Sequence, residues 1–167
     1  MSKYNCLQNL HSYKYSIKLL ILLTCIFSKL LADGRWEVST IAGTEESGFL
    51  DGPGVTAKFE NPCGITCDSL KNLYVTDCEH VRKISLNKEG RWEVATIAAT
   101  PKQLTSSVIT IGDDLYAVDA KHDQIYKLVY DKGDWTVSAI AGGNGRGFID
   151  GIGEKAKFKG LTPNNIL

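Results

Sequence analysis

The chain has 167 residues, a one-domain length, and its 43% hydrophobic and 23% charged content is that of an ordinary globular protein. Formal net charge is zero, but the first 32 residues hold Lys3, Lys14, Lys18 and Lys29 and no acid. The remainder carries 15 basic against 19 acidic residues, a net of −4 with no basic run, so nucleic acid is not an expected partner: phosphate neutralisation needs clustered Lys and Arg.

Residues 1–32 read as a secretory signal. A basic region ends at Lys18, and LLILLTCIF (19–27) follows without a charge. That run has the length of a signal's apolar core and is too short to span a bilayer. Cleavage after Ala32 would place the large Leu30 at the −3 position, so the cut site stays open. An uncleaved anchor through residues 15–32 and a buried N-terminal helix are the alternatives. LLTC (22–25) only loosely resembles a lipoprotein box, because apolar residues continue past Cys25. The expected location is secreted or extracytoplasmic, with no stable transmembrane span.

From residue 33 the chain repeats itself. GRWEV occurs at 34–38 and 90–94, with a weaker copy, GDWTV, at 133–137. Each precedes a strand-like run: STIAG (39–43), ATIAA (95–99) and SAIAG (138–142). Between them, NLYVTDCEHVRKIS (72–85) matches DLYAVDAKHDQIYKL (114–128), with Asp77 and Asp119, and His80 and His122, each 42 apart. The tryptophans lie 56 and then 43 residues apart. The first interval contains GFLDGPGVTAKF (48–59), and the second has the short TPKQLTSS (100–107) instead. GFLDGPGVTAKF returns as GFIDGIGEKAKF (147–158) with eight of twelve positions identical, so it reads as an optional connector between units.

Each unit predicts four strands. In the first they are NPCGITCD (61–68), NLYVTD (72–77), VRKIS (81–85) and RWEVATIA (91–98). In the second they are SVITIG, DLYAVD, QIYKLVYD and DWTVSAIAG. Beta-branched and aromatic residues fill the strands and Gly, Asp and Asn mark the turns. In the first unit Leu73 and Val75 fall on one face and Tyr74 on the other. Helical periodicity is absent beyond one turn at Val55–Phe59. Four antiparallel strands repeating every 40–50 residues describe a β-propeller blade. The expected fold is therefore all-β, a partial propeller of about two to three four-stranded blades.

Three cysteines fall outside the first 32 residues: Cys63, Cys67 and Cys78. Cys63 and Cys67 on one strand would lie roughly 13 Å apart at about 3.3 Å per residue, too far for a disulfide. A bond from Cys78 to one of them is the intrachain option, and three small buried hydrophobes is the plainer reading.

The first unit resembles the NHL repeat, a family that builds six-bladed propellers. The match runs through Ile41, Ala42 and Gly43; Gly48, Phe49, Asp51 and Gly52; Phe59; Pro62, Gly64 and Ile65; Asp68; and Tyr74, Val75 and Asp77. It extends over residues 36–166. The second unit departs at Ser106-Ser107-Val108-Ile109, where the proline-x-glycine-isoleucine signature is lacking, and at Ala117. Both units place a histidine, His80 or His122, where the family often has asparagine. The resemblance implies that GFLDGPGVTAKF is a structural connector: its glycines allow tight turns, Asp51 bonds local amides, and Phe59 plugs between blades. A phosphate-binding loop is disfavoured, since no lysine-serine/threonine pair follows.

Six blades at about 40–45 residues need roughly 240–280 residues, and residues 33–167 number 135. FKGLTPNNIL (158–167) mirrors FENPCGI (59–65), so the propeller segment is expected to end mid-blade, as a piece of a longer propeller. Self-assembly of copies into a ring is the alternative.

Candidate chemistry is sparse. Asp77-x-x-His80 and Asp119-x-x-His122 could ligate a divalent metal, but they read more simply as hairpin-turn residues. Ser106 and Ser107 lack a nucleophile elbow. Cys63 and Cys67 are spaced C-x-x-x-C, without a helix to lower a thiol pKa. At inner-strand ends the first unit offers only Asn61 and Asp68. No catalytic, metal or cofactor residue is therefore assigned, and no cofactor is evident. The resemblance implies an extracytoplasmic scaffold for a protein, peptide or glycan partner. Its alternative is part of a propeller enzyme, either a metal-dependent gluconolactonase-like hydrolase or an amidating-lyase-like one.

Overall fold

The computed structural model describes residues 39–99 and 107–162. The signal expected at 1–32, the first GRWEV copy, Ser106 and most of TPKQLTSS lie outside them. Among these described residues, nine strands form two antiparallel sheets. They are β1 (Gly52–Pro53), β2 (Pro62–Cys67), β3 (Leu73–Asp77), β4 (His80–Leu86), β5 (Trp92–Ala99), β6 (Ser107–Ile111), β7 (Asp114–Asp119), β8 (Gln124–Asp131) and β9 (Asp134–Gly142). One sheet has the order β1-β5-β4-β3-β2 and the other β6-β7-β8-β9. The eight expected strands all form, within a residue or two of their expected limits. The fold is all-β, and the two up-and-down sheets are those of two adjacent blades of a partial β-propeller. The helical elements among the described residues come to one 3-10 turn, Gly153–Lys155.

Side-chain alternation sends the two faces of the first blade into different cores. Leu73, Val75, Ile84 and Val94 pack with Ala42, Ala57 and Phe59 from the connector side. Tyr74, Val81 and Ala98 pack with Val108, Leu115, Ala117, Tyr126 and Leu128 of the second blade. Trp135 closes that second core edge-on against Tyr74, 6.0 Å between ring centroids. Both outer strands carry a bulge at the same place, opposite Val81/Arg82 in the first blade and Ile125/Tyr126 in the second. An extra residue there turns the outer strand without losing the ladder on either side.

The blades approach most closely at their inner strands. Thr110 Oγ1 donates to the Cys67 carbonyl at 2.8 Å, and Thr110 N donates to Thr66 Oγ1 at 3.3 Å. Gly64 makes this approach possible: a Cβ there would lie 2.8 Å from Ser107 Cα. A bulge between Pro62 and Ile65 interrupts the two-residue alternation along β2, and of Cys63, Ile65 and Cys67 only the last two pack against the first core.

The two connectors fold alike. Gly48 N donates to Phe59 O as Gly147 N does to Phe158 O, and Leu50 and Lys58 pair as Ile149 and Lys157 do. In the first connector Gly54 threads between neighbouring strands, with its N–H bonded to Trp92 O and its C=O to Gly43 N. A Cβ on Gly54 would fall 2.3 Å from Ile41 O. Gly52 and Pro53 then add a fifth edge to the sheet beside Val94 and Glu93 of β5.

Candidate functional site

The polar centre of the molecule is Arg82. It is fully buried, on the same face of β4 as Ile84. Its Nη1 donates to Asp77 Oδ2 at 3.0 Å and its Nη2 to Asp51 Oδ1 at 2.7 Å. The carbonyls of Lys58 and Leu50 take two further bonds. Its guanidinium lies 4.5 Å from the centroid of Phe49 and 5.0 Å from that of Phe59. A buried guanidinium is tolerable when its donors are filled, and here two carboxylates and two carbonyls fill them.

Asp51 does not bond local amides as expected. It reaches across to the following blade, accepting from Arg82 and from Thr96 N at 2.9 Å and Oγ1 at 3.1 Å. The connector is therefore bolted to the blade that follows it. Phe59 is buried as expected, beneath the first blade and beside Ala42.

Asp77 accepts from Asn61 N at 2.7 Å and Glu60 N at 3.0 Å, holding the entry of β2 against the end of β3. Burial pushes its carboxyl above the ordinary value, against the pull of the Asn61 amide and the Arg82 charge. Asp119 holds its own turn instead, accepting from Lys121 N and His122 N at 3.0 Å each. Its other oxygen lies 2.6 Å from His122 Nδ1.

The two Asp-x-x-His stretches are thus not equivalent in space. The first hairpin turns in two residues, so His80 opens β4 opposite Asp77. The second turns in four, so Gln124 stands opposite Asp119 and His122 sits in the turn. After the turn the two blades therefore align 44 residues apart, and Arg82 corresponds to Tyr126, not Gln124. The His80 ring stacks on Phe49 at 4.4 Å with its Nδ1 buried and without a hydrogen bond. Two nearly identical sequence strings give a packed ring in one blade and a carboxylate-oriented imidazole in the other.

At the inner-strand ends, Asp68 accepts from Leu70 N, Asn72 N, Asn72 Nδ2 and Tyr74 OH, which ties up both its oxygens in the β2–β3 turn. Asn61 donates its N–H to Asp77 and accepts from Cys78 N through its carbonyl. Among the described residues no three His, Cys, Asp or Glu side chains converge on a metal position. Cys63, Cys67 and Cys78 carry thiols with no disulfide between them. Burial, with the charges of Glu60 and Asp77 behind it, pushes the Cys78 thiol up to about 12.

Sequence reading missed Asp123. It lies in the longer second hairpin at φ +50, fully buried. Its carboxylate accepts from Arg146 Nε at 2.7 Å, Gly160 N at 2.9 Å and Leu161 N at 3.1 Å, pinning the second connector to the second blade. The signal was available in the Asp-Gln pair breaking the match to Val81-Arg82.

These features define a propeller segment whose carboxylates serve its architecture. No protein-family profile and no curated protein matches the chain. Among solved structures it is similar to a structural-genomics protein of unknown function from Bacteroides thetaiotaomicron VPI-5482, at 22% identity and a TM-score of 0.49. That similarity covers 66% of this chain, and the chain spans 30% of that protein's length.

Proposed function

We propose that the protein is an NHL-type propeller segment that acts outside the cytoplasm as a scaffold for a protein, peptide or glycan partner. The observation that supports this is the employment of the repeat's acids: Asp51, Asp68, Asp77 and Asp123 each accept several bonds that fix a connector or turn. Carboxylates spent on backbone amides and arginine are poor ligands for a catalytic metal. Function then rests on surface loops held by a rigid sheet.

The second reading, part of a propeller hydrolase or lyase, has one observation in its favour. The Asp119–His122 pair orients an imidazole through Nδ1, the arrangement that prepares Nε2 for a metal or a proton. The test is a direct comparison. The protein is screened on peptide and glycan arrays with and without chelator, and assayed for hydrolysis of sugar lactones with added calcium or zinc. Saturable, chelator-insensitive binding without turnover supports the scaffold. Metal-dependent turnover abolished by His122→Ala overturns it.

A further inference from the structure

The three thiols of the first blade do not stand alike. Cys67 ends β2 opposite Leu73 and packs against the first core. From Leu73 to Cys78 the chain runs roughly 16 Å at about 3.3 Å per residue, so Cys67 and Cys78 are out of each other's reach. Cys63 lies at the other end of β2. Pro62 pairs with Asp77, and Cys78 follows Asp77 into the turn beside Asn61, whose carbonyl accepts from Cys78 N at 3.4 Å. Cys63 is therefore the diagonal neighbour of Cys78 across the strand pair.

In a regular pair such neighbours stand about 7–8 Å apart, just beyond a disulfide's Cα span of about 4.4–6.8 Å. This pair is not regular. The register shift of β2 takes in Cys63, and a bulge bends and twists the strand that carries it. The Cys63 thiol leans back to 3.5 Å from Asn61 O, the same oxygen that takes the Cys78 N–H. Both cysteines thus converge on one atom. Burial raises the ionisation of the Cys78 thiol, and the charges of Glu60, Asp77 and Cys63 add to it, which puts Cys63 within electrostatic reach. The backbone at Cys78 is left-handed, φ +53, where glycine or asparagine sits most easily, so the turn itself does not account for a cysteine there.

We propose that Cys63 and Cys78 are a disulfide-forming pair, closed by a small-molecule disulfide such as oxidised glutathione, with Cys67 left as a thiol. The Cys63 thiolate attacks one sulfur of the oxidant, whose S–S bond breaks and releases one glutathione thiol. The Cys78 thiolate then attacks the Cys63 sulfur and releases the second. The protein loses two S–H bonds and gains one S–S bond, and the two electrons and two protons end on the two glutathione thiols. The bond repeats covalently the hold that Asp77 has on the β2 entry through Glu60 N and Asn61 N. Closing the loop 63–78 restricts the unfolded chain, so oxidation stabilises the fold. The extracytoplasmic setting proposed above would preserve the bond, but the pairing rests on the geometry and stands without that setting.

The test uses the full chain, incubated with oxidised or with reduced glutathione, cut by trypsin without reductant and read by fragmentation mass spectrometry. Cleavage after Lys58, Lys71 and Arg82 gives one peptide with Cys63 and Cys67 and another with Cys78. The expected product of oxidation joins these two peptides, with fragment ions that place the bridge on Cys63. Cys67→Ser keeps the product and Cys63→Ser loses it. The oxidised chain is expected to melt several degrees above the reduced one. A bridge to Cys67 or to a cysteine of residues 1–32, a bridge between chains, a glutathione adduct that never closes, or an oxidised midpoint no higher than the reduced one overturns the proposal. The fragment map is read on the unsubstituted chain, so the pairing is tested even where a serine variant fails to fold.

Discussion

Arg82 and Asp77 are both fully buried and joined by a 3.0 Å bond from Nη1 to Oδ2. The pair is the hinge pin of the first blade, since the same aspartate holds the β2 entry and the same arginine holds the connector.

Removing one partner leaves the other buried and uncompensated. Arg82→Ala is expected to cost about 3–5 kcal/mol, and Arg82→Met less, because the methionine keeps the packing against Phe59. Urea unfolding of the two variants gives the comparison. Equal and small losses would mean that the arginine acts only as bulk.

Acid should weaken the second connector. Burial raises the Asp123 carboxyl, but bonds from Arg146, Leu161 N and Gly160 N outweigh it and hold the group below its ordinary value. Its folded form therefore binds its proton at lower pH than the unfolded chain does. The stability it supplies is present above the unfolded value of about 3.9 and fades as pH falls through the folded one. Asp123→Asn should flatten the fall in the urea midpoint between pH 5 and 2; an unchanged slope would remove Asp123 from the account.

Gly64→Ala should push the blades apart. Its Cβ would meet Ser107 Cα at 2.8 Å and Val108 N at 3.1 Å, both backbone atoms that cannot rotate away. Overpacking of this kind costs about 1–3 kcal/mol. The direct readout is loss of the nuclear Overhauser contact between Thr66 and Thr110, with each blade's own strand contacts kept.

Cys78 should resist alkylation. A thiol near 12 is ionised at pH 8 to about one part in ten thousand, less than about a thousandth of the ionised fraction of an ordinary cysteine. Mass spectrometry after timed iodoacetamide treatment of the native protein should find Cys78 modified last. Rapid labelling there would show that the loop opens.

The strands were legible because each obeys a two-residue alternation between clear turn residues, and the repeat supplied each expectation twice. Leu73, Val75 and Tyr74 point where that alternation puts them. The polar network was not legible. The 42-residue spacing of both Asp77/Asp119 and His80/His122 suggested matching turns, yet a hairpin two residues longer moves the histidine out of register. Asp51 could not be paired with Arg82 from sequence, because 31 residues separate them and an Asx turn explained the aspartate equally well. Long-range polar partners depend on how blades stack, and stacking leaves no period in the chain.

The division of the first blade's two faces between separate cores means that the repeat seen in the sequence and the packed cores of the fold are offset by half a sheet. What packs together in the second core is not a blade but the seam between two, one half from each neighbour. Nearest-neighbour arrays of this kind gain stability seam by seam as they lengthen. A perturbation at Tyr126 should therefore be felt at Tyr74 before it reaches Phe59, although Tyr74 and Phe59 belong to the same unit of sequence.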